Sequence, residues 1–307
     1  MKVKLFTDND LDGTGCALLA RFCFKIIDVE FCSPKNINER VKEFLKERKN
    51  LLYDQIYITD LSIKEDVAEI IENSGISNIL ILDHHNSASW LNKYKWATIK
   101  ETLTDNKTCG TELFYEYVFK KYYNPTISFG QAATIGYFVE LVRRYDTYDW
   151  KKLNDLKSKE LNDLFLILGT NRFYKDYDII NDKLFGNRNA LETKENFLIG
   201  LQQETTGNYI KGKLENIIPY KFKDYNVAVV YAENYSSELG NTLLDIHPEF
   251  DFVAIIDIAG GISFRGNGKV NLTEIAQSFG GGGHFDASGC PLDKQIQTKI
   301  LDSIFKK

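Results

Sequence analysis

The stretch NILILDHHN, residues 78–86, decides how this chain is read. Ile79 to Leu82 is an unbroken apolar run of strand length, suited to a strand buried on both faces. It ends in Asp83, His84 and His85, and only four histidines occur among 307 residues. In an open parallel sheet, sites collect beyond the carboxyl ends of the strands. Upstream, two more apolar runs end in acid. LFTDNDLDG (residues 5–13) sets Asp8, Asp10 and Asp12 at alternate positions, and IYITD (residues 56–60) ends at Asp60. Another short run spans Val29 to Cys32. Helical spacing fills the intervals at Thr14–Ile27, Asn38–Leu52 and Lys64–Asn73. This rhythm predicts an α/β fold: a parallel sheet with helices on both faces. Helices are expected next at Gly110–Tyr122 and Gln131–Tyr145, and Asp146, in RRYDTYDW (residues 143–150), is placed to close the site.

Taken singly, these residues have ordinary readings. Asp12-Gly13-Thr14 is a helix-capping pattern, Asp60 is a strand-end residue, and Asp146 has Arg143 and Arg144 beside it as ion-pair partners. Taken together they do not. Aspartates and histidines gathered at one sheet edge repel one another unless a cation sits among them, and this oxygen-rich donor set suits Mn²⁺ or Mg²⁺.

Beyond Trp150 the chain turns helical and polar, and Thr193–Asn216 reads as one long helix in spite of Gly200, Gly207 and Gly212. A second α/β pattern starts near Tyr225, with strands in NVAVVYA (226–232), FVAIIDIAG (252–260) and GGISFRG (260–266) and a helix over Asn271–Phe279. The expected division is a first domain over 1–190, a helical connector over 191–224, and a smaller C-terminal α/β domain over 225–307. Gly280, Gly281, Gly282 and Gly283 follow the last helix and precede His284 and Asp286. Alone they read as a flexible turn. With Arg265 upstream as a forked donor, they read as an anion-binding nest for phosphate or ribose. His247 precedes a proline in an ordinary loop and takes no role.

Composition narrows the partner. Hydrophobic residues make up 43% of the chain, enough for sizeable cores. The 38 basic and 43 acidic residues leave a net charge of −5, so no global basic field holds long duplex DNA. Any nucleic-acid partner must be short and held in local pockets. The five cysteines (Cys16, Cys23, Cys32, Cys109 and Cys290) form no C-x-x-C pair and read as reduced thiols. MKVKLFTDND is not a signal segment and no run of 18 apolar residues occurs, so the expectation is a soluble cytoplasmic protein without a membrane partner.

These motifs resemble the DHH phosphoesterase superfamily: an acidic first motif, a strand-ending Asp, the Asp-His-His triplet and a later Asp, in that order. ISFRGNGKVNLTEIAQSFGGGGHFDASGC (262–290) resembles that superfamily's associated substrate-binding domain. TDNDLDGTGCALLA, YITDLSI, ILDHHNSASWLN, CGTELFYEYV and VRRYDTYDW are most similar to its bacterial oligoribonuclease, or nanoRNase, branch. The resemblance implies that Asp8 and Asp10 bind one divalent ion, that Asp12, His84 and Asp146 bind a second, and that Asp60 bridges them. It implies that Asp83 orients its neighbours, that His85 touches the scissile phosphate, and that Arg265, Gly280 to Gly283 and His284 contact substrate. The two ions, Mn²⁺ with Mg²⁺ or Co²⁺ as substitutes, would activate water to hydrolyse a short oligoribonucleotide or dinucleotide. Many relatives carry His where this chain has Asp8, which makes the site harder and more negative. Two other readings stand beside this one. The first is a phosphoesterase for a cyclic dinucleotide or 3′-phosphoadenosine 5′-phosphate. The second is a catalytically silent nucleotide sensor, against which the full ligand set speaks.

Overall fold

The computed structural model describes residues 1–123, 129–175 and 193–306. The chain divides into two compact units, Met1–Gln202 and Gln203–Lys307, with the division inside one long helix. The boundary expected at 190/191 lies outside the described residues.

The first unit opens with β1 (Lys2–Asp8), α1 (Leu11–Cys23), β2 (Ile26–Cys32), α2 (Ile37–Lys46), β3 (Gln55–Thr59), α3 (Glu65–Asn73), β4 (Ile79–Asp83) and β5 (Ala97–Ile99). The five strands form one sheet in the order β2-β1-β3-β4-β5, parallel throughout. A small hairpin, β6 (Thr102–Leu103) and β7 (Asn106–Lys107), leads to α4 (Gly110–Phe114) and α5 (Lys120–Tyr122). Then come α6 (Phe129–Asp146), α7 (Asp149–Lys152) and α8 (Leu156–Lys175).

Successive side chains of a strand point to opposite faces, and both faces here are apolar. Phe6, Ile56, Ile58, Ile79 and Ile81 pack with Val41 and Phe44 of α2 and Val67 and Ile71 of α3. Val3, Leu5, Tyr57 and Leu82 pack on the other side with Cys16 and Leu19 of α1 and Leu113 and Phe114 of α4. Burial on both faces is why these strands read as continuous apolar runs. A third cluster joins Leu11 and Leu18 of α1 to Phe138 and Val142 of α6 and Leu161 and Phe165 of α8. It fixes the end of α6, where Asp146 sits.

The second unit holds the end of α9 (Thr193–Leu214), then β8 (Ile218–Phe222), β9 (Tyr225–Tyr231), α10 (Ser236–Ile246), β10 (Phe252–Asp257), β11 (Gly261–Gly266), α11 (Leu272–Ser278), β12 (Gly282–Gly283), β13 (Ala287–Cys290) and α12 (Lys294–Phe305). Its six-stranded sheet runs β12-β13-β11-β10-β9-β8, with β9 and β10 parallel and the other pairs antiparallel. Leu239 and Leu243 of α10 cover one face, and Leu272 and Ala276 of α11 cover the other.

The sequence expectation differs in detail. The first helix stops at Cys23, and Ile26 and Ile27 belong to β2, which pairs with β1 along its full length. β-Branched residues at a sheet edge override the helical spacing. The helix expected over Gly110–Tyr122 is interrupted by a single wide turn at Tyr115–Phe119. The second sheet starts at β8, before the expected Tyr225. Among the described residues no helix is long and apolar enough to cross a membrane.

Ile58 is fully buried on the central strand. Ile58→Ala is expected to cost about 2–5 kcal/mol of stability, as large-to-small core changes do. Urea unfolding measures it, and a loss below about 1 kcal/mol would contradict this packing.

Candidate metal and catalytic site

The residues singled out in the first unit meet at the carboxyl edge of the parallel sheet. Asp8 is the last residue of β1, and its carboxylate accepts from the Asn9 N–H at 2.7 Å. Asp10 caps α1, its Oδ1 accepting from the Gly13 N–H at 2.9 Å. Asp12, whose spacing suggested the cap, lies buried in the first turn instead. It accepts from the Gly110 and Thr111 N–H groups at 2.6 and 2.8 Å, and so caps α4, almost a hundred residues on. Gly13 makes the tight loop feasible, since a Cβ there would stand 2.3 Å from the Asp8 carbonyl oxygen.

Asp60 follows β3 in the left-handed region, φ 55°, a conformation Asp tolerates better than most residues. Its N–H donates to the Leu82 carbonyl at 3.0 Å, which ties it to β4. Beneath, Thr59 Oγ1 donates to Thr7 Oγ1 and Thr7 Oγ1 to the Gly13 carbonyl, at 2.8 and 2.9 Å. These bonds lock the ends of β1 and β3 to the start of α1.

Asp83 ends β4 fully buried, and its Oδ1 accepts from the His84 N–H at 2.8 Å and lies 2.7 Å from His85 Nδ1. Ser62 Oγ donates to Oδ2. Asp83 therefore orients both histidines. His84 Nε2 lies 3.1 Å from Asp60 Oδ1 and 3.7 Å from Asp12 Oδ2 and Asp146 Oδ2. The ring also hydrogen-bonds the Thr108 backbone. With Nε2 facing carboxylates, that bond falls to Nδ1, the arrangement that presents Nε2 as a ligand. Asp146 is the last residue of α6, three positions after Arg143. That guanidinium is buried and bonded to Glu140, Asp149 and the Lys107 carbonyl. Asp10, Leu11, Asp12, Val142, Tyr145, Asp146 and Asn162 line a small pocket there.

Among the donor groups whose ligand atoms lie within 4.8 Å of one another are Asp8, Asp10 and Asp60; Asp12, His84 and Asp146; and Asp60, Asp83, His84 and His85. Burial and the charge of Asp10 push the Asp8 carboxyl up to about 8. Asp10, at the open rim, is raised by the surrounding protein and by Asp12. Asp60 and Asp146 are raised well above the carboxylate range by burial and by the neighbouring aspartates. Burial alone would raise Asp83 too, but the charge and hydrogen bond of His85 hold it well below the usual range. Burial would depress His85, yet Asp83 brings it up to about 9, while burial and His85 bring His84 down to about 4. Asp60 Oδ2 is buried without a hydrogen-bond partner among the described residues. An acceptor with no donor, ringed by carboxylates that cannot all ionise, fits a divalent cation.

In the second unit, Arg265 on β11 donates to Ser237 Oγ at 2.9 Å and to the Phe264 carbonyl at 2.8 Å, with its stem against Gly240. The glycine run is not an open nest. The N–H of Gly280 donates to the Gln277 carbonyl and that of Gly281 to the Ala276 carbonyl, which closes the end of α11. Gly282 and Gly283 form β12 against Gly289 and Ser288 of β13, and the His284 N–H donates to the Ala287 carbonyl. Helix termination uses the Gly280 and Gly281 N–H groups that the spacing suggested for an anion, and Gly282 and Gly283 lie in a strand pair. Sequence reading assigned no role to Ser62, Thr108 or Thr111, although Ser62 and Thr111 lie within the stretches YITDLSI and CGTELFYEYV.

Comparison with known proteins agrees with this architecture. Residues 2–139 match the DHH family, N-terminal domain. The chain is 30% identical over 312 residues to oligoribonuclease NrnB of Bacillus subtilis (strain 168), covering 98% of this chain and 76% of that protein. It is 27% identical over 340 residues to a 3′,5′-cyclic-nucleotide phosphodiesterase of Helicobacter pylori, covering 95% and 93%. Among solved structures, the pGpG-specific phosphodiesterase PggH of Vibrio cholerae matches at TM-score 0.51 and 16% identity, over 99% of this chain and 97% of that one. An exopolyphosphatase-related protein of Bacteroides fragilis matches at TM-score 0.51 and 17% identity, over 98% and 90%. At such identities these two structures speak for the fold alone.

The raised carboxyls set a pH dependence. A carboxyl raised from 3.8 to about 8 favours the native state only while protonated, so its stability is lost as pH climbs through that window. His85, raised from 6.5 to about 9, acts in the same direction: its stability is full below 6.5 and lost as pH rises through 9. His84, lowered to about 4, opposes only between 4 and 6.5. After chelation, Tm is expected to fall between pH 6.5 and 9, and added Mn²⁺ to flatten the decline. A flat profile in chelator, measured by calorimetry, would contradict the crowding.

Proposed function

The chain belongs to the DHH family, and on that premise we propose that it is a metal-dependent phosphodiesterase of short oligoribonucleotides. The observation that carries this reading is the convergence of Asp8, Asp10, Asp12, His84 and Asp146 around Asp60, whose Oδ2 lacks a partner among the described residues. Asp8 and Asp10 would hold one divalent ion and Asp12, His84 and Asp146 a second, with Asp60 available to both. Mn²⁺ is the preferred ion, with Mg²⁺ or Co²⁺ as substitutes. When bound, such a pair acidifies a water and takes up phosphoryl charge.

The chain's own groups do the rest. Asp83 holds His85 through Nδ1, so the imidazolium meets a phosphate oxygen through Nε2, as a charge-assisted donor. Its raised pKa keeps it cationic at neutral pH. Asp83, fully buried and bonded to Ser62, keeps that ring in place. In the second unit, Arg265 and His284 contact the substrate's phosphate or ribose, and Gly280 to Gly283 shape the backbone beside them. Support for a short substrate comes from the net charge of −5 and from likeness to a protein named an oligoribonuclease. Likeness to a cyclic-nucleotide phosphodiesterase favours a second reading, a small-nucleotide phosphoesterase.

A panel running from 3′-phosphoadenosine 5′-phosphate and a cyclic dinucleotide through dinucleotides to a 20-mer, assayed with Mn²⁺, separates the two. Fastest turnover on linear dinucleotides to pentanucleotides is expected. No turnover of any member, or efficient digestion of the 20-mer, would sink the proposal.

Asp60→Asn provides a sharper check. Altering even a group that orients a metal ligand costs roughly 10–100-fold, so loss of the bridge should cost on the order of 100-fold or more in kcat. The same change removes a buried, repelled carboxylate, so Tm in chelator should rise. Near-wild-type turnover in saturating Mn²⁺ would remove Asp60 from the site.

A further inference from the structure

Helix α8 does not run straight. At Gly169 its backbone takes φ 70° and ψ 159°, a region essentially closed to residues with a side chain. No atom lies within 4 Å of where a Cβ would stand, so the requirement for glycine is conformational and not steric crowding. The next residue, Thr170, turns its hydroxyl to the carbonyl of Asn9 and donates to it at 2.7 Å, across 161 positions of sequence.

Asn9 is the residue between Asp8 and Asp10. The peptide before it gives its N–H to Asp8 Oδ1 at 2.7 Å. The peptide after it, whose carbonyl Thr170 holds, leads into Asp10, which is fixed in turn by its bond to the Gly13 N–H. Both peptide planes around Asn9 are therefore pinned, one by a carboxylate of the site and one by α8. Asn9 and Asp10 are themselves exposed while the flanking Thr7 and Leu11 are buried, so the two-residue turn is set by its backbone bonds and not by packing of its own side chains. Two carboxylates that must bind one ion lose affinity if their loop must first be ordered.

We propose that Thr170, aimed by the helix break at Gly169, is a positioning residue that pre-orders the Asp8–Asp10 loop for its cation. The inference rests on the reading of Asp8 and Asp10 as metal ligands. It adds a control point on α8, far from the sheet edge in sequence, that belongs to no acidic or histidine motif.

The test is Mn²⁺ binding by calorimetry, with the Mn²⁺-induced shift in Tm as a second readout, on the full chain. Thr170→Val removes the hydroxyl at constant shape, Thr170→Ser restores it, and Gly169→Ala disturbs the break. Thr170→Val and Gly169→Ala are expected to weaken the tighter Mn²⁺ event by roughly 10-fold, in the range seen when a group supporting a metal ligand is lost. Thr170→Ser is expected to bind as wild type. A brace serving stability alone would lower the Tm in chelator and leave Mn²⁺ affinity unchanged. That result overturns the proposal, as does a Thr170→Ser protein that binds no better than Thr170→Val. A wild-type chain that takes up no Mn²⁺ overturns the metal reading itself and this inference with it. Wild-type uptake matched by Thr170→Val overturns this inference alone.

Discussion

Like charges at close range are the constraint on which the rest of this molecule depends. Asp8, Asp10, Asp12, Asp60 and Asp146 are brought to one sheet edge, where burial and mutual repulsion raise Asp10 and push Asp8, Asp60 and Asp146 well above the usual carboxylate range. Such a cluster opposes folding unless something holds it together, and the surrounding fold supplies the restraint. The sheet is parallel, so every strand delivers its carboxyl end to the same edge. Both faces are covered with apolar helices, so the strands do not yield. The Thr59–Thr7–Gly13 relay and the Asp60–Leu82 bond tie adjacent strand ends together.

The same constraint explains how individual acids are used. Asp10 and Asp12 each serve as helix caps, Asp10 for its own helix and Asp12 for α4. A helix N-terminus favours negative charge, so these two are partly compensated by backbone N–H groups. Asp83 is compensated by the two histidine backbones, the His85 ring and Ser62. Asp60 Oδ2 has no such donor among the described residues. That buried oxygen belongs to the residue grouped with Asp8 and Asp10, where a cation would meet it.

The C-terminal unit works by a different logic. Its sheet is mixed, its cores are smaller, and its glycines shape backbone more than they present it. Gly281 N–H closes α11, and a Cβ at Gly281 would stand 2.0 Å from the Gly289 carbonyl oxygen. Arg265 is set on its strand and held by Ser237. Pre-ordering a long, rotamer-rich side chain lowers the entropic cost of binding through it.

The sequence alone determined the parallel sheet, because strands buried on both faces must be continuously apolar and their periodicity is local. It also determined the acids and imidazoles at the ends of β1, β3 and β4, because those residues stand next to the runs they terminate. The resemblance implied a grouping of Asp8 with Asp10 and of Asp12 with His84 and Asp146, and the fold brings the atoms of each group within 4.8 Å of one another. Tertiary structure decided what depends on distant partners. Asp12 looked like a cap for its own helix and caps α4, since Gly110 and Thr111 reach it only in the fold. The glycine run looked like an anion nest, but its first two N–H groups complete α11. β5, β12 and β13 are too short to show a period. Thr170 carries no signal at all in sequence, because its meaning is a hydrogen bond to a backbone carbonyl, an acceptor that every residue possesses. Chemistry carried by side-chain type is legible in one dimension, whereas chemistry carried by backbone geometry exists only once the chain has folded.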